Sequence, residues 1–221
     1  VKKEESRDLL FVGKNYVESE VPLGKPQTHI LNILFDNAKD REDPFSLPNV
    51  DETGKMKLFL CCSFSEIRDI NPANESYTVR TRLYLIWKPH LKGRWQVSAQ
   101  KARDIYTSFI NKGKTDKKAY ISLREDERDE FINAIQIPDL SFQGAISSDE
   151  TDTPGIRVYH ALGGFILWNQ EYNVLYNYTY NLRRFPFDSH DLEFIVNQNN
   201  SQTWDLFDLS VCSVQFQKNA L

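Results

Sequence analysis

The stretch Tyr77-Thr-Val-Arg-Thr-Arg-Leu-Tyr-Leu-Ile-Trp87 alternates with a period of two over eleven residues. Tyr77, Val79, Leu83, Leu85 and Trp87 fall on one side, and Thr78, Arg80, Arg82, Tyr84 and Ile86 on the other. Successive side chains of a strand point to opposite faces, so this spacing predicts a strand with one buried and one polar face. The same period runs just upstream, where Met56, Leu58, Leu60, Cys62 and Phe64 share a side. Residues 65–76, which contain Asn71-Pro72, read as the loop joining the two strands.

Further along, residues 147–155 read as an acidic loop, and 156–162 and 165–168 as strands around the Gly163-Gly164 turn. In 173–182, Val174, Tyr176, Tyr178, Tyr180 and Leu182 share one side, with Asn173, Asn177, Thr179 and Asn181 opposite. Leu192, Phe194 and Val196 mark another strand, and 204–214 a last one. Residues 95–134 break the alternation: Ala102, Ile105, Tyr106, Phe109 and Ile110 fall at helical spacing, and 122–133 reads as a second, charged helix. The first 55 residues read as irregular, interrupted by Pro22, Pro26, Pro44 and Pro48, with a short helix expected over 8–17. These patterns predict an all-β chain, a sandwich of short strands, with an N-terminal extension (1–55) and a helical insertion (95–134) in the body 56–221.

Composition narrows the function. Lys and Arg total 27 against 31 Asp and Glu, a net charge of −4, which argues against an electrostatic nucleic-acid binder. The basic run 112–118 is short, lacks interleaved aromatics and reads as a solvated tip. Nothing approaches the ~18 apolar residues of a membrane-spanning helix. Cys61, Cys62 and Cys212 are too few for a disulfide framework, and the adjacent pair falls on opposite strand faces, so they read as separate thiols. His29, His90, His160 and His190 are scattered. Asp188-Ser189-His190-Asp191 has the residue types of a hydrolase triad, but adjacency in sequence does not create triad geometry. No phosphate loop, metal-ligand spacing or calcium loop is present in the sequence, so no enzyme activity, cofactor or metal is expected. The sequons at Asn74, Asn177 and Asn199 exceed only slightly the roughly two expected by chance, and decide nothing about compartment.

One pattern is specific. Gly164-Phe-Ile-Leu-Trp168 is followed, across an intervening strand, by Arg183-Arg184-Phe185-Pro186-Phe187-Asp188. This resembles the extracellular ligand-binding domain of pentameric ligand-gated ion channels, the Cys-loop receptor superfamily, with its Gly-x-x-x-Trp and Phe-Pro-Phe-Asp blocks. Residues 135–145, with Pro138-Asp139, are similar to that family's Trp-x-Pro-Asp segment, and 67–70 and 77–87 to its first two strands and their loop. The resemblance covers roughly 56–94 and 135–205. The two family cysteines would fall at Tyr178 and Leu192, so the disulfide is absent. The Trp of the Trp-x-Pro-Asp segment is replaced by Gln136, and residues 95–134 are longer than the usual connection. Only 33 residues follow Asp188, fewer than the family's last strands need, so the chain is expected to be incomplete.

The resemblance implies an immunoglobulin-like β-sandwich that assembles as a homopentamer, binds a small molecule between subunits and joins a membrane domain missing here. The implied location is the cell membrane, on its extracellular or periplasmic side. The implied coupling loop is Arg184, Phe185, Pro186, Phe187 and Asp188, with the 67–74 loop beside it and a cis Phe185–Pro186 bond. The implied ligand-facing residues are Gln143 and Trp204 on one subunit, and Arg80, Arg82, Tyr84, Tyr159, Leu167 and Asn169 on the next. Arginines facing the site, with no aromatic at Gln143, favour an acidic or polar ligand over a quaternary amine. The simpler expectation for Arg80 and Arg82 is salt bridging between subunits. Two other readings stand beside the channel: a soluble pentameric binding protein of the same fold, and a carbohydrate-binding or adhesion sandwich.

Overall fold

The computed structural model describes residues 26–39, 43, 50, 54–112, 120–179, 194–198 and 207–216. Three helices are described, α1 (Pro26–Lys39), α2 (Ala99–Lys112) and α3 (Glu125–Ala134). Nine strands accompany them: β1 (Met56–Asn71), β2 (Ser76–Trp87), β3 (Ile121–Ser122), β4 (Leu140–Gln143), β5 (Ala145–Glu150), β6 (Gly155–Tyr159), β7 (Phe165–Asn177), β8 (Ile195–Gln198) and β9 (Phe207–Phe216). The main sheet runs β3-β6-β7-β2-β1-β9, with β5 also paired to β7, and β4 and β8 form a second, two-stranded sheet. The pairings are antiparallel except β1 with β9, which is parallel.

The pair β2–β7 is the axis of the main sheet, in register without a break from Ser76↔Asn177 to Trp87↔Ile166. One face of this axis is largely apolar, with Thr81 and Gln170 as its buried polar residues. Leu58, Leu60, Cys62, Phe64, Tyr77, Val79, Leu83, Leu85, Trp87, Ile166, Val174 and Tyr176 meet there in a single core. The second sheet closes it, through Phe142 on β4 and Phe194 beside β8. The Phe194 ring stands edge-on to Phe64 at 4.8 Å, and Phe142 edge-on to Tyr172 at 5.1 Å. The cross-strand pair Tyr77↔Tyr176 stacks at 5.2 Å. Two sheets packed across a shared aromatic core make the body a β-sandwich.

The opposite face of the axis is covered over half its length by helices. Cys61, Ile86, Tyr159, Leu162, Phe165 and Leu167 form a second core with Ile30, Leu34, Phe35 and Ala38 of α1 and Phe109 of α2. Phe35 and Phe109 stack at 4.1 Å and tie the two helices together. This corrects two expectations. Residues 26–39 are helical rather than irregular: Pro26 opens the helix, where its missing N–H costs nothing, and Ile30, Leu34 and Ala38 recur every fourth residue. The outer face of β2 is polar at Thr78, Arg80 and Arg82, while Ile86 is fully buried beneath the helices. The expected helix over 8–17 lies outside the described residues.

Other boundaries also move. Strand β1 continues through the expected loop to Asn71, and the turn shrinks to 72–75, where the Asn71 Oδ1 accepts from the backbone N–H of Ala73 and Asn74 at 3.1 Å each. The acidic loop 147–155 is strand β5 up to Glu150. Residues 160–162 form a 3-10 turn rather than strand, closed by Gly163 and Gly164 at φ 69° and 93°. Segments 165–168 and 173–182 merge into one strand, β7, as far as Asn177. Cys61 and Cys62 do lie on opposite faces, each fully buried in a different core, and burial pushes the Cys62 thiol far up.

Both helices expected within 95–134 are present. Ser98 Oγ accepts from the Lys101 N–H at the start of α2, and Glu125, Asp126 and Glu127 fill the first turn of α3, where the helix dipole favours negative charge. The one buried residue of α3 is Phe131, which enters the sandwich core and meets Trp95 edge-on at 5.0 Å. Helices α2 and α3 are therefore part of the body's packing. Phe131→Ala is expected to destabilise the whole domain by about 3–5 kcal/mol in denaturant unfolding. A loss below about 1 kcal/mol would make α3 an appendage.

His160 sits buried under α2, and its Nδ1 has no hydrogen-bond partner among the described residues. Burial, aided by the charge of Lys101, lowers its pKa from 6.5 to about 4. The folded state keeps the ring neutral while the unfolded chain protonates it. Stability is therefore full above the unfolded value and declines as pH falls from 6.5 to about 4, by up to roughly 3 kcal/mol. Urea midpoints of the protein and of His160→Gln, measured between pH 7 and 4, are expected to converge over that window. Parallel curves would contradict a neutral buried ring.

Candidate functional site

Strand alternation carries the charged half of the outer face. Arg80 and Arg82 on β2 pair across to Asn173 and Glu171 on β7, and Tyr84 pairs to Asn169, so all these side chains share one surface. The hub is Glu171. Its Oε2 accepts from Arg80 Nη2 at 2.7 Å and from the Thr151 hydroxyl at 2.9 Å, and its Oε1 lies 3.6 Å from Arg82 Nη2. Arg82 also donates to Asp152 Oδ2 at 2.7 Å and to Asn169 Oδ1 at 3.2 Å. Asn169 in turn donates to the Gly155 carbonyl at 3.0 Å. Burial alone would push the Glu171 carboxyl up, but the hydrogen bonds from Arg80 and Thr151 and the nearby arginine charges hold it below its ordinary range. The same bond raises Arg80. Both guanidinium groups are thus matched by carboxylates of their own chain.

The other expected ligand-facing residues are distributed differently. Tyr159 and Leu167 are on the same sheet face but fully covered by the helices, in the second core. Gln143 stands on β4 in the other sheet, where its Oε1 accepts from Asn197 Nδ2 at 2.8 Å. Trp204 and the loop Arg184, Phe185, Pro186, Phe187 and Asp188 lie outside the described residues, as does the Phe185–Pro186 bond. The structure therefore brings together Arg80, Arg82, Tyr84 and Asn169, and adds Thr151, Asp152 and Glu171, which sequence reasoning missed. Glu171 was open to detection, since it alternates with Asn169 and Asn173 on the polar side of β7.

The inner face of β7 offers a second feature. Trp168, Gln170 and Tyr172 alternate with Asn169 and Glu171 and point to the opposite side, where they line a cavity of about 400 Å³. Leu83, Leu85 and Phe142 supply apolar wall, and residues 137–140 another side. Exposed Asp139 and Glu150 also line it, and no Lys, Arg or His does. Burial and the charges of Glu150, Asp139 and Asp152 push the Tyr172 hydroxyl up to about 12. Gln170 is 1% exposed. Its Nε2 donates to the carbonyl and the Oδ1 of Asp152, and its Oε1 has no partner among the described residues.

Among the described residues no group of three His, Cys, Asp or Glu side chains is placed to hold a metal ion, and no helix is long and apolar enough to cross a membrane. No protein-family model and no curated protein matches the chain.

The Glu171 hub has a measurable consequence. A carboxyl held low contributes stability that is present above its ordinary value of 4.5 and is lost as pH falls through its folded-state value. Glu171→Gln is expected to cost about 1 kcal/mol at pH 7, the arginines being partly exposed, and nothing once the carboxyl is protonated. Urea unfolding at pH 7 and pH 3 reads this directly. An equal cost at both pH values would show that packing, not charge, is what Glu171 provides.

Proposed function

We propose that this chain is the ligand-sensing domain of a homopentameric ligand-gated channel, an immunoglobulin-like sandwich that binds a small molecule and transmits binding to a pore. It performs no catalysis in this reading. Its place is the cell membrane, facing the extracellular or periplasmic side. The sequence support is the spacing of Gly164 and Trp168 with Phe185-Pro186-Phe187-Asp188.

One structural observation carries the reading further. The β1–β2 turn and the C-terminal end of β7 lie at the same end of the main sheet. Ser76 pairs with Asn177, and the Tyr178 N–H donates to the Glu75 carbonyl at 2.6 Å. A coupling device needs two segments that meet a membrane domain side by side, and the meeting of the 72–75 turn with the end of β7 at one edge of the sheet supports that reading. The unbroken β2–β7 register gives a rigid path between that edge and the surface bearing Arg80, Arg82, Tyr84 and Asn169, which a neighbouring subunit would cover. Because both arginines are already paired, an acidic ligand would have to compete with Glu171 and Asp152. The resemblance's preference for an acidic ligand therefore loses its footing, and a polar ligand hydrogen-bonding the rim of the network fits better.

Native mass spectrometry of the full-length protein, extracted in detergent if it partitions to membranes, tests the assembly. Five copies are expected. A stable monomer would overturn the pentameric reading and favour a carbohydrate-binding or adhesion sandwich.

A further inference from the structure

The Trp87 end of the main sheet, opposite the 72–75 turn, gathers positive charge in a chain whose net charge is −4. Residues 88–103 contain Lys88, His90, Lys92, Arg94, Lys101 and Arg103 and no Asp or Glu. A stretch of that length drawn at random from this chain would hold about two acids and two bases. Packing brings both ends of the stretch to the turn between β6 and β7. Leu91 lies against Gly164, where an added Cβ would meet its Cδ1 at 3.2 Å, and the charge of Lys101 acts on His160. Lys92, Lys101 and Arg103 are exposed and make no ion pair among the described residues, whereas Arg94 is shared between Glu130 at 2.6 Å and the Trp95 ring at 4.4 Å. Lys101 also stands in the first turn of α2, which has no acidic residue, and there the helix dipole works against a cation. Its position is unfavourable to the fold alone, and a bound anion offsets that.

We infer that this end of the sheet is a docking surface for a polyanionic polysaccharide, one that carries sulfate groups along a hydroxyl-rich chain. Lys92, Lys101 and Arg103 take the anionic groups, Arg103 with the two-pronged geometry that suits their oxygens. Exposed Gln96 offers hydrogen bonds to the hydroxyls between them. Other polyanions find less here. None of the exposed large hydrophobic side chains falls within 88–103, so a bilayer meets nothing to insert. Trp95 is engaged by Arg94 and by the Phe131 ring, which leaves no platform for stacked bases. The surface does not rest on the channel reading, because one chain supplies all of it, and a monomer and a pentamer both present it.

Calorimetric titration with a dextran sulfate oligosaccharide and with unsulfated dextran of the same length tests it. The sulfated chain is expected to bind with a micromolar Kd, and the unsulfated one not at all at about 1 mM. Affinity is expected to fall at least about tenfold between about 50 and 200 mM salt, as the contacts release counterions. Lys92→Ser/Lys101→Ser/Arg103→Ser changes exposed side chains and is expected to weaken binding at least about tenfold. Lys114→Ser/Lys117→Ser/Lys118→Ser removes the same charge from the other basic run and is expected to leave the Kd within about twofold. Equal losses in the two variants would reduce the attraction to diffuse charge and overturn the proposal. So would an undiminished affinity in the first variant, no binding of the sulfated chain, or equal binding of the unsulfated one. Affinity indifferent to salt, which needs no variant to measure, would overturn it as well. Tighter binding of phosphatidylserine vesicles or of a single-stranded oligonucleotide would assign the surface to a membrane or a nucleic acid instead.

Discussion

The β2–β7 ladder is the constraint from which the rest of the structure follows. Its register runs from Ser76↔Asn177 to Trp87↔Ile166 without a bulge, so every side chain on either strand has a fixed side. A slip of one residue would send Leu83 and Leu85 to the outside and Arg80 and Arg82 into the aromatic core. Burying those guanidinium groups without partners costs far more than any local gain, which locks the register. Stacked Tyr77 and Tyr176 reinforce one end of the ladder, and fully buried Trp87 and Ile166 the other. Both sheets, both cores and both candidate sites are hung from this pair.

The outer face of the ladder shows how one surface is divided. Toward the Trp87 end, Ile86 and Leu167 are apolar and need cover, which α1 and α2 supply with Leu34, Phe35 and Phe109. Toward the Ser76 end, Arg80, Arg82, Asn169 and Glu171 satisfy one another and need none. The boundary falls near Tyr84, which is half-buried and packed against the helical core. The helices therefore stop where the charge begins.

Alternation in the sequence made the strands legible, because a period of two sustained over eleven residues cannot place one apolar stripe on a helix of 3.6 residues per turn. It could not show that the polar side of β2 becomes apolar enough at Ile86 to be buried, since a single Ile among Arg and Tyr carries no pattern. Helix α1 was hidden for a similar reason. Its turns are flanked by prolines that read as breakers, whereas Pro26 opens the helix. Of the candidate residues, Arg80, Arg82, Tyr84 and Asn169 meet because strand pairing brings residues 91 and 87 positions apart in sequence into contact. Leu167 and Tyr159 were expected at a surface, but their own apolarity recruited helical cover. The cavity was invisible in the sequence, because its walls come from β2, β4, β5 and β7 and from the 137–140 segment, which only the packing of two sheets assembles.

The two features of β7 stand back to back on alternate residues, and one side chain touches both. Asp152 Oδ2 accepts from Arg82 on the outer face, while its Oδ1 accepts from the Glu171 backbone N–H and from Gln170, which faces the cavity. Its backbone carbonyl takes the Gln170 amide as well. The orientation of the one buried amide in the cavity is therefore fixed by the same carboxylate that anchors the outer arginine. Gln170 is thus held by a carboxylate whose other oxygen holds Arg82. The two faces of β7 are thus linked by a single hydrogen-bonding centre rather than by two independent ones.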